Sequence, residues 1–212
     1  MGTLAPVVAV GLFLDPNTAF GAEGTVRHAV YNVASIVTTT GYASTDYVQW
    51  PPAAKHMLFM GMFIGGMVGS TTCSIKSLRW LVALKSFRRN PFTAIYPEAV
   101  RPVRISGKPI DEDAIRDIYA YLLLSLVIFF LLTVVIVVDA ERGNLRVTEF
   151  GALGAAATTF LNIGPAFGDA GPYGTFATFP MSTRAVMIML MWIGRIDIIP
   201  VLVLFTRAFW TS

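Results

Sequence analysis

The chain has 212 residues, 55% of them hydrophobic and only 14% charged, against about 25% charged in soluble domains. That balance excludes an ordinary soluble domain and points to a protein that lives in a membrane. The net charge of +3 comes with no aromatic-interleaved basic patch or nucleic-acid-binding motif, so no nucleic-acid partner is expected.

In chain order, Leu4 to Leu14 is an apolar run too short to span a bilayer alone and reads as a helix missing its beginning. The N-terminus has neither a basic region nor an A-x-A site, so no signal peptide is expected. A helical stretch of small and apolar residues, Val26 to Thr38, closes in Thr38-Thr39-Thr40-Gly41-Tyr42. Met57 to Val68 is apolar and Met-rich, and with the neutral tract up to Ile75 it reaches membrane length. Within it, Gly65 to Lys76 is a run of Gly, Ser and Thr that cannot be a lipid-facing helix. Its backbone must be buried or line a cavity, although Gly61, Gly65 and Gly69 also have the spacing of a helix-packing face.

A polar connector follows, where Pro91, Pro97, Pro102 and Pro109 are expected to break helices. Gly107 behind Val103-Arg104-Ile105 suggests a short hairpin, and Asp111-Glu112-Asp113 places negative charge where the next helix begins. Tyr119 to Val138 holds no charge over twenty residues, about the length that crosses a bilayer as a helix. A second small-residue helix, Val147 to Thr159, runs into Asn162-Ile163-Gly164-Pro165, and Ala185 to Ile193 continues past Arg195 and Asp197 into Ile198 to Phe205.

This order repeats. Asp15 to Gly41 is 26 positions and Asp139 to Gly164 is 25, while Lys55 to Gly65 and Arg184 to Gly194 are both ten. Each unit is an outer helix that ends at an aspartate (Asp15 or Asp139), a short helix, a Gly-containing loop and a longer helix, the layout of a re-entrant pore loop. Threonine and glycine suit such a loop because their carbonyls can turn toward a dehydrated cation and Gly allows backbone angles closed to other residues. The expected fold is therefore all-α and integral to the membrane, with two helix–pore loop–helix repeats: residues 1–89, a connector 90–112, and residues 113–212. Two such units cannot enclose a pore of four, so half of it must come from elsewhere. Nine of the sixteen Lys and Arg lie between Lys76 and Arg116, which places that connector in the cytoplasm. Arg88-Arg89 there reads as a contact to membrane lipid headgroups.

The matching stretches SIVTTTGYASTD (Ser35 to Asp46), GGMVGSTTCSIKSLR (Gly65 to Arg79), RPVRISGKPI (Arg101 to Ile110), TTFLNIGPAFG (Thr158 to Gly168) and MWIGRIDIIPVLVLF (Met191 to Phe205) cover most of the chain in family order. With them the chain resembles the C-terminal half of the Trk/Ktr/HKT superfamily of potassium transporters, closest to the TrkH type. The resemblance implies K+ uptake across the cell membrane by a multi-pass protein, with this chain as the third and fourth of four repeats. It implies a K+ filter at Thr38, Thr39, Thr40, Gly41, Tyr42, Asn162, Ile163 and Gly164. It implies a gate at Gly65, Gly66, Gly69, Ser70, Thr71 and Thr72, with Arg195 facing it as a positive barrier. One departure stands out: Thr72-Cys73-Ser74 replaces a common AGG, which should stiffen the gate loop.

Implied partners are the N-terminal half of the pore, a second copy in a homodimer, and a cytosolic nucleotide-binding ring docking on the basic connector. The nucleotide sits on that ring, so no cofactor is expected here and K+ is the transported ion. Channel-like and H+- or Na+-coupled transport both fit. A Na+-permeable HKT-like transporter and a non-conducting half-length subunit are the alternatives. His28 and His56 lack ligand spacing to other donors, and no nucleophile–base arrangement suggests an enzyme. Asp46 and Asp169, just after the two loops, are candidates for concentrating cations, or are simply solvated.

Overall fold

The computed structural model describes residues 3–15, 20–67, 69–70, 72–96, 102–196 and 210. It is helical apart from one minimal hairpin. The helices are α1 (Leu4–Phe13), α2 (Ala22–Val37), α3 (Pro52–Met62), α4 (Ser77–Ile95), α5 (Glu112–Arg142), α6 (Glu149–Leu161) and α7 (Met181–Ile196). Strands β1 (Arg104–Ile105) and β2 (Lys108–Pro109) pair antiparallel.

Helix α5 has 31 residues, roughly 46 Å at 1.5 Å per residue, and among the described residues it is the one helix long and apolar enough to cross a membrane. Its buried positions Tyr121, Ser125, Phe129, Leu132, Ile136 and Ala140 recur every three or four residues, so one stripe packs inward. The remaining faces stay apolar and open, as at Leu123, Leu126, Leu131 and Val134.

That stripe packs on α6, most of whose residues are buried. Thr148 starts α6 by accepting the Gly151 N–H at 3.1 Å, a side-chain cap. The run Gly151-Ala152-Leu153-Gly154-Ala155-Ala156-Ala157 then lets neighbours approach closely. A Cβ at Gly154 would sit 2.8 Å from the Phe167 ring. Phe167 in turn belongs to an aromatic cluster that joins the two units. Its ring centroid lies 4.7 Å from Phe150, 5.3 Å from Tyr47 and 6.3 Å from Phe59, and Phe63 meets Phe129 at 5.4 Å. Edge-on and tilted pairs of this kind add to plain burial.

The membrane-length stretch from Met57 to Ile75 is helical only as far as Met62, where α3 stops. The chain then closes a loop, with Gly65 N–H donating to Ile75 O at 2.8 Å and Ser77 N–H to Gly66 O at 3.0 Å. Two glycines are needed at this stem because a Cβ at Gly65 would lie 2.7 Å from the Ile75 carbonyl oxygen, and one at Gly66 2.7 Å from Thr72 Oγ1.

Two expectations are corrected. First, Pro91 does not end α4, which runs on to Ile95. Proline removes one donor, here the partner of Phe87 O beside an exposed side chain, where water can replace it. Second, α5 passes Asp139 and ends at Arg142. The hairpin is where Gly107 suggested. Ser106 (φ 48°) and Gly107 (φ 82°) are both left-handed, the signature of a two-residue turn that matches strand twist. Val103 docks it on Val82 of α4 and Ile115 of α5.

At the C-terminal end of α5, Asp139 accepts from the Thr183 backbone N–H at 3.0 Å and from the Ser182 and Thr183 hydroxyls. It thereby caps the start of α7 from another helix. Asp139→Ala is expected to lower the melting temperature of the purified protein while leaving ion preference unchanged, and a differential scanning fluorimetry trace with no shift would refute the clamp.

Candidate functional site: two glycine loops over a closed segment

Both short helices end in the same backbone sequence of turns. After α2, Thr39 (φ 51°) and Gly41 (φ 81°) are left-handed, with Thr40 between them. After α6, Asn162 (φ 53°) and Gly164 (φ 122°) are left-handed, with Ile163 between them. The closing hydrogen bonds also correspond. Thr40 N–H reaches Ser35 O at 2.9 Å and Ile163 N–H reaches Thr158 O at 3.0 Å, each five residues back. Left- and right-handed residues therefore alternate in both loops, a backbone path that neither a helix nor a strand follows.

The loops meet. A Cβ on Gly41 would overlap the Ile163 carbonyl oxygen and stand 3.2 Å from Pro165 Cδ, while one on Gly164 would be 3.4 Å from Gly41 Cα. Glycine at 41 is therefore demanded twice, by its angle and by its neighbour. The side-chain support differs between the loops. Thr158 Oγ1 accepts Gly164 N–H at 3.0 Å, and its one proton serves either Gly164 O at 3.0 Å or Pro165 O at 3.2 Å. In the first loop the buried Ser35 hydroxyl has no partner among the described residues. Thr38 Oγ1 donates to Ala34 O at 2.7 Å, so the Thr40 hydroxyl donates to Thr38 across another 2.7 Å. Tyr42 is 71% exposed and lies outside this junction.

The closed segment sits against the first loop and helix α7. Cys73 N–H donates to Thr39 Oγ1 at 3.4 Å, and Arg195 Nη1 donates to Cys73 Sγ at 2.8 Å. From the same helix, Met191 O accepts Asn162 Nδ2 at 2.8 Å. Helix α7 approaches this closely because Gly194 faces the Phe160 carbonyl, where a Cβ would collide. Within the segment, Ser74 Oγ donates to Met62 O at 2.6 Å and Ser77 Oγ to Gly66 O at 3.2 Å. Ser70 and Thr72 fold over Gly66, and Gly69 takes φ 91°. Thr71 and Asp197 lie outside the described residues.

The structure brings Thr39, Gly41, Asn162, Gly164 and Arg195, all named from the sequence, into one neighbourhood. Sequence reasoning missed Cys73 as the bridge between Arg195 and Thr39, having read it only as a lost glycine, and it missed Met191.

Outside the loops, Asp46 is spent as a cap, accepting Val48 N–H at 3.1 Å and Gln49 Nε2 at 3.0 Å. Next to it Tyr47 is 1% exposed. Burial, then the Asp46 charge, pushes its phenol well above the usual range, so it stays neutral. His28 Nδ1 lies 2.9 Å from Ser44 Oγ and His56 Nδ1 2.6 Å from Pro52 O. The second linker accommodates its longer sequence with two 3-10 turns, Gly168–Ala170 and Phe176–Thr178, where the first has one, Tyr47–Gln49.

The family model for TrkH, described as a cation transport protein, matches residues 19–211. The Trk system potassium uptake protein TrkI of Halomonas elongata is 36% identical over 187 residues, 87% of this chain and 37% of that protein. TrkH of the same organism is 34% identical over 185 residues, with the same coverage. The chain thus spans less than two fifths of the length of these curated relatives. The crystal structure of the potassium transporter TrkH from Vibrio parahaemolyticus superposes with a TM-score of 0.83 over 98% of this chain and 43% of that one, at 23% identity, a likeness of fold. The chain belongs to the TrkH family of cation transport proteins, membrane transporters rather than enzymes.

Proposed function

We propose that this chain forms half of a K+ uptake pathway in the cell membrane, as the third and fourth of four helix–pore loop–helix repeats. The observation that carries this is the meeting of two loops with one backbone pattern at Gly41 and Gly164. Carbonyls of Thr39, Thr40, Gly41, Asn162 and Ile163, with Gly164 shared with the Thr158 hydroxyl, would replace the water shell of K+. Thr38 and Tyr42 flank the filter. The relatives are named potassium uptake proteins, which supports K+ as the substrate.

The segment Gly65, Gly66, Gly69, Ser70, Thr71, Thr72 would be the gate, held shut by Arg195 through Cys73. The described residues supply two of the four loops such a pore needs, so an N-terminal half completes the ring. A homodimer of the completed pore, with a cytosolic nucleotide-binding ring under the basic connector 76–116, is the assembly we envisage.

The test is growth on low K+ in cells lacking their own K+ uptake systems, with this chain alone and with a matching N-terminal half in trans. Rescue only with the added half is the expected result. Rescue by the chain alone would mean that two copies build a filter. Absence of rescue with both proteins present in the membrane would sink the conducting role.

A further inference from the structure

Two cavities lie on one face of α4. Trp80, Leu84 and Arg88 are spaced four residues apart on α4, so they stack along one face of the helix. Trp80 and Leu84 line an apolar cavity of about 710 Å³ that extends between α3, α4 and α5 to Ile64, Leu122, Leu126 and Phe130. One turn further on, Arg88 lines a second pocket of about 170 Å³ with Lys85, Arg89 and Arg104, and no acidic side chain lines it. Arg89 is already paired with Glu112, and Lys85 Nζ donates to Arg104 O at 2.8 Å, which fixes the pocket floor. Among the described residues, Lys85, Arg88 and Arg104 have no ion-pair partner.

A compact basic pocket one helical turn along α4 from a larger apolar cavity has the polarity of a phospholipid. We propose that an anionic phospholipid binds here, its phosphate on Arg88, Arg104 and Lys85 and its acyl chains in the cavity bounded by Trp80, Leu84 and Leu126. The site rests on the inward placement of the connector proposed above, where the anionic leaflet meets juxtamembrane basic residues. It also puts the acyl chains against Ile64 and Ile75, which bracket the closed segment, so occupancy would bear on that segment's packing. A free phosphate would use the basic pocket alone and leave the apolar cavity unexplained.

The test is native mass spectrometry of the protein released from mixed micelles, scored on retained lipid and therefore independent of K+ rescue. Phosphatidylglycerol adducts are expected to exceed phosphatidylcholine adducts. Arg88→Gln with Arg104→Gln is expected to weaken phosphatidylglycerol retention about thirty-fold, from the usual worth of two basic side chains near an anionic surface. Both residues are exposed, so the fold should survive. Leu84→Trp, which sets a bulky ring at the cavity wall nearest the basic pocket and leaves the charges intact, should also weaken lipid retention. Equal retention of the two lipids, retention insensitive to either variant, or displacement by millimolar inorganic phosphate would each overturn the proposal, the last in favour of a soluble phosphate site.

Discussion

Replacing Gly41 by serine is expected to cut K+ uptake by at least about ten-fold and to erase the preference for K+ over Na+. Gly41 sits at φ 81°, where a side chain costs on the order of 1–3 kcal/mol. That cost alone converts to roughly five- to hundred-fold in any equilibrium that needs the native loop. The added Cβ also has nowhere to go. It points at the Ile163 carbonyl oxygen, itself a proposed ligand in the other loop, so one substitution displaces carbonyls on both loops at once. Filter carbonyls must stay in place to substitute for water around the ion.

Tyr42→Phe is the contrasting change. The ring is exposed, and loss of its hydroxyl should leave flux within about two-fold, as for most surface substitutions. Both are read by Rb+ and Na+ uptake in the complemented strain or in proteoliposomes. A Gly41→Ser protein with an unchanged Rb+ to Na+ ratio would remove Gly41 from the filter.

The features legible in the sequence were those with a local signature. Twenty uncharged residues announced α5, Gly107 announced the hairpin, and the near-equal offsets from Asp15 to Gly41 and from Asp139 to Gly164 announced a repeated loop. Matching left-handed residues at Thr39 and Asn162 accompany that offset, though neither is glycine and neither could have been named from composition. The features that stayed hidden are long-range. Cys73 reaches back 34 residues to Thr39, Arg195 reaches 122 residues to Cys73, and Asp139 reaches 44 to Thr183. No periodicity encodes such pairs.

The end of α3 at Met62 illustrates the same point. The Gly, Ser and Thr run told that an ordinary helix could not continue there but not where the chain would turn, and the crowding of Gly65 against Ile75 shows that the glycines serve a chain folding back on itself. Pro91 failed as a helix breaker for the opposite reason. Its cost is one hydrogen bond at an exposed turn, which packing elsewhere on α4 outweighs.

The second large effect is expected at Arg195. Arg195→Ala removes the donor to Cys73 Sγ and a positive charge beneath the two loops, and it should raise K+ flux measured without the cytosolic regulator. A hydrogen bond to a thiol, a weak acceptor, is worth about 0.5–1.5 kcal/mol, so losing it from the proposed closed arrangement should shift the closed-to-open ratio about two- to ten-fold. The charge itself repels a cation on the pathway, and its removal acts in the same direction.

Arg195→Lys separates the two contributions. Lysine keeps the charge but not the planar fork that reaches the sulfur, so flux should rise by less than in the alanine variant. Cys73→Ser keeps an acceptor at the same backbone position and should stay closed, whereas Cys73→Ala should open in proportion to the lost contact. A double variant, Cys73→Ala with Arg195→Ala, then tests whether the two residues act through each other, because coupled partners give less than the sum of their separate effects. Additive effects would leave Arg195 as an electrostatic barrier alone. Unchanged or reduced flux in Arg195→Ala, at normal protein level, would mean that the contact between α7 and the closed segment supports the fold and does not hold a gate.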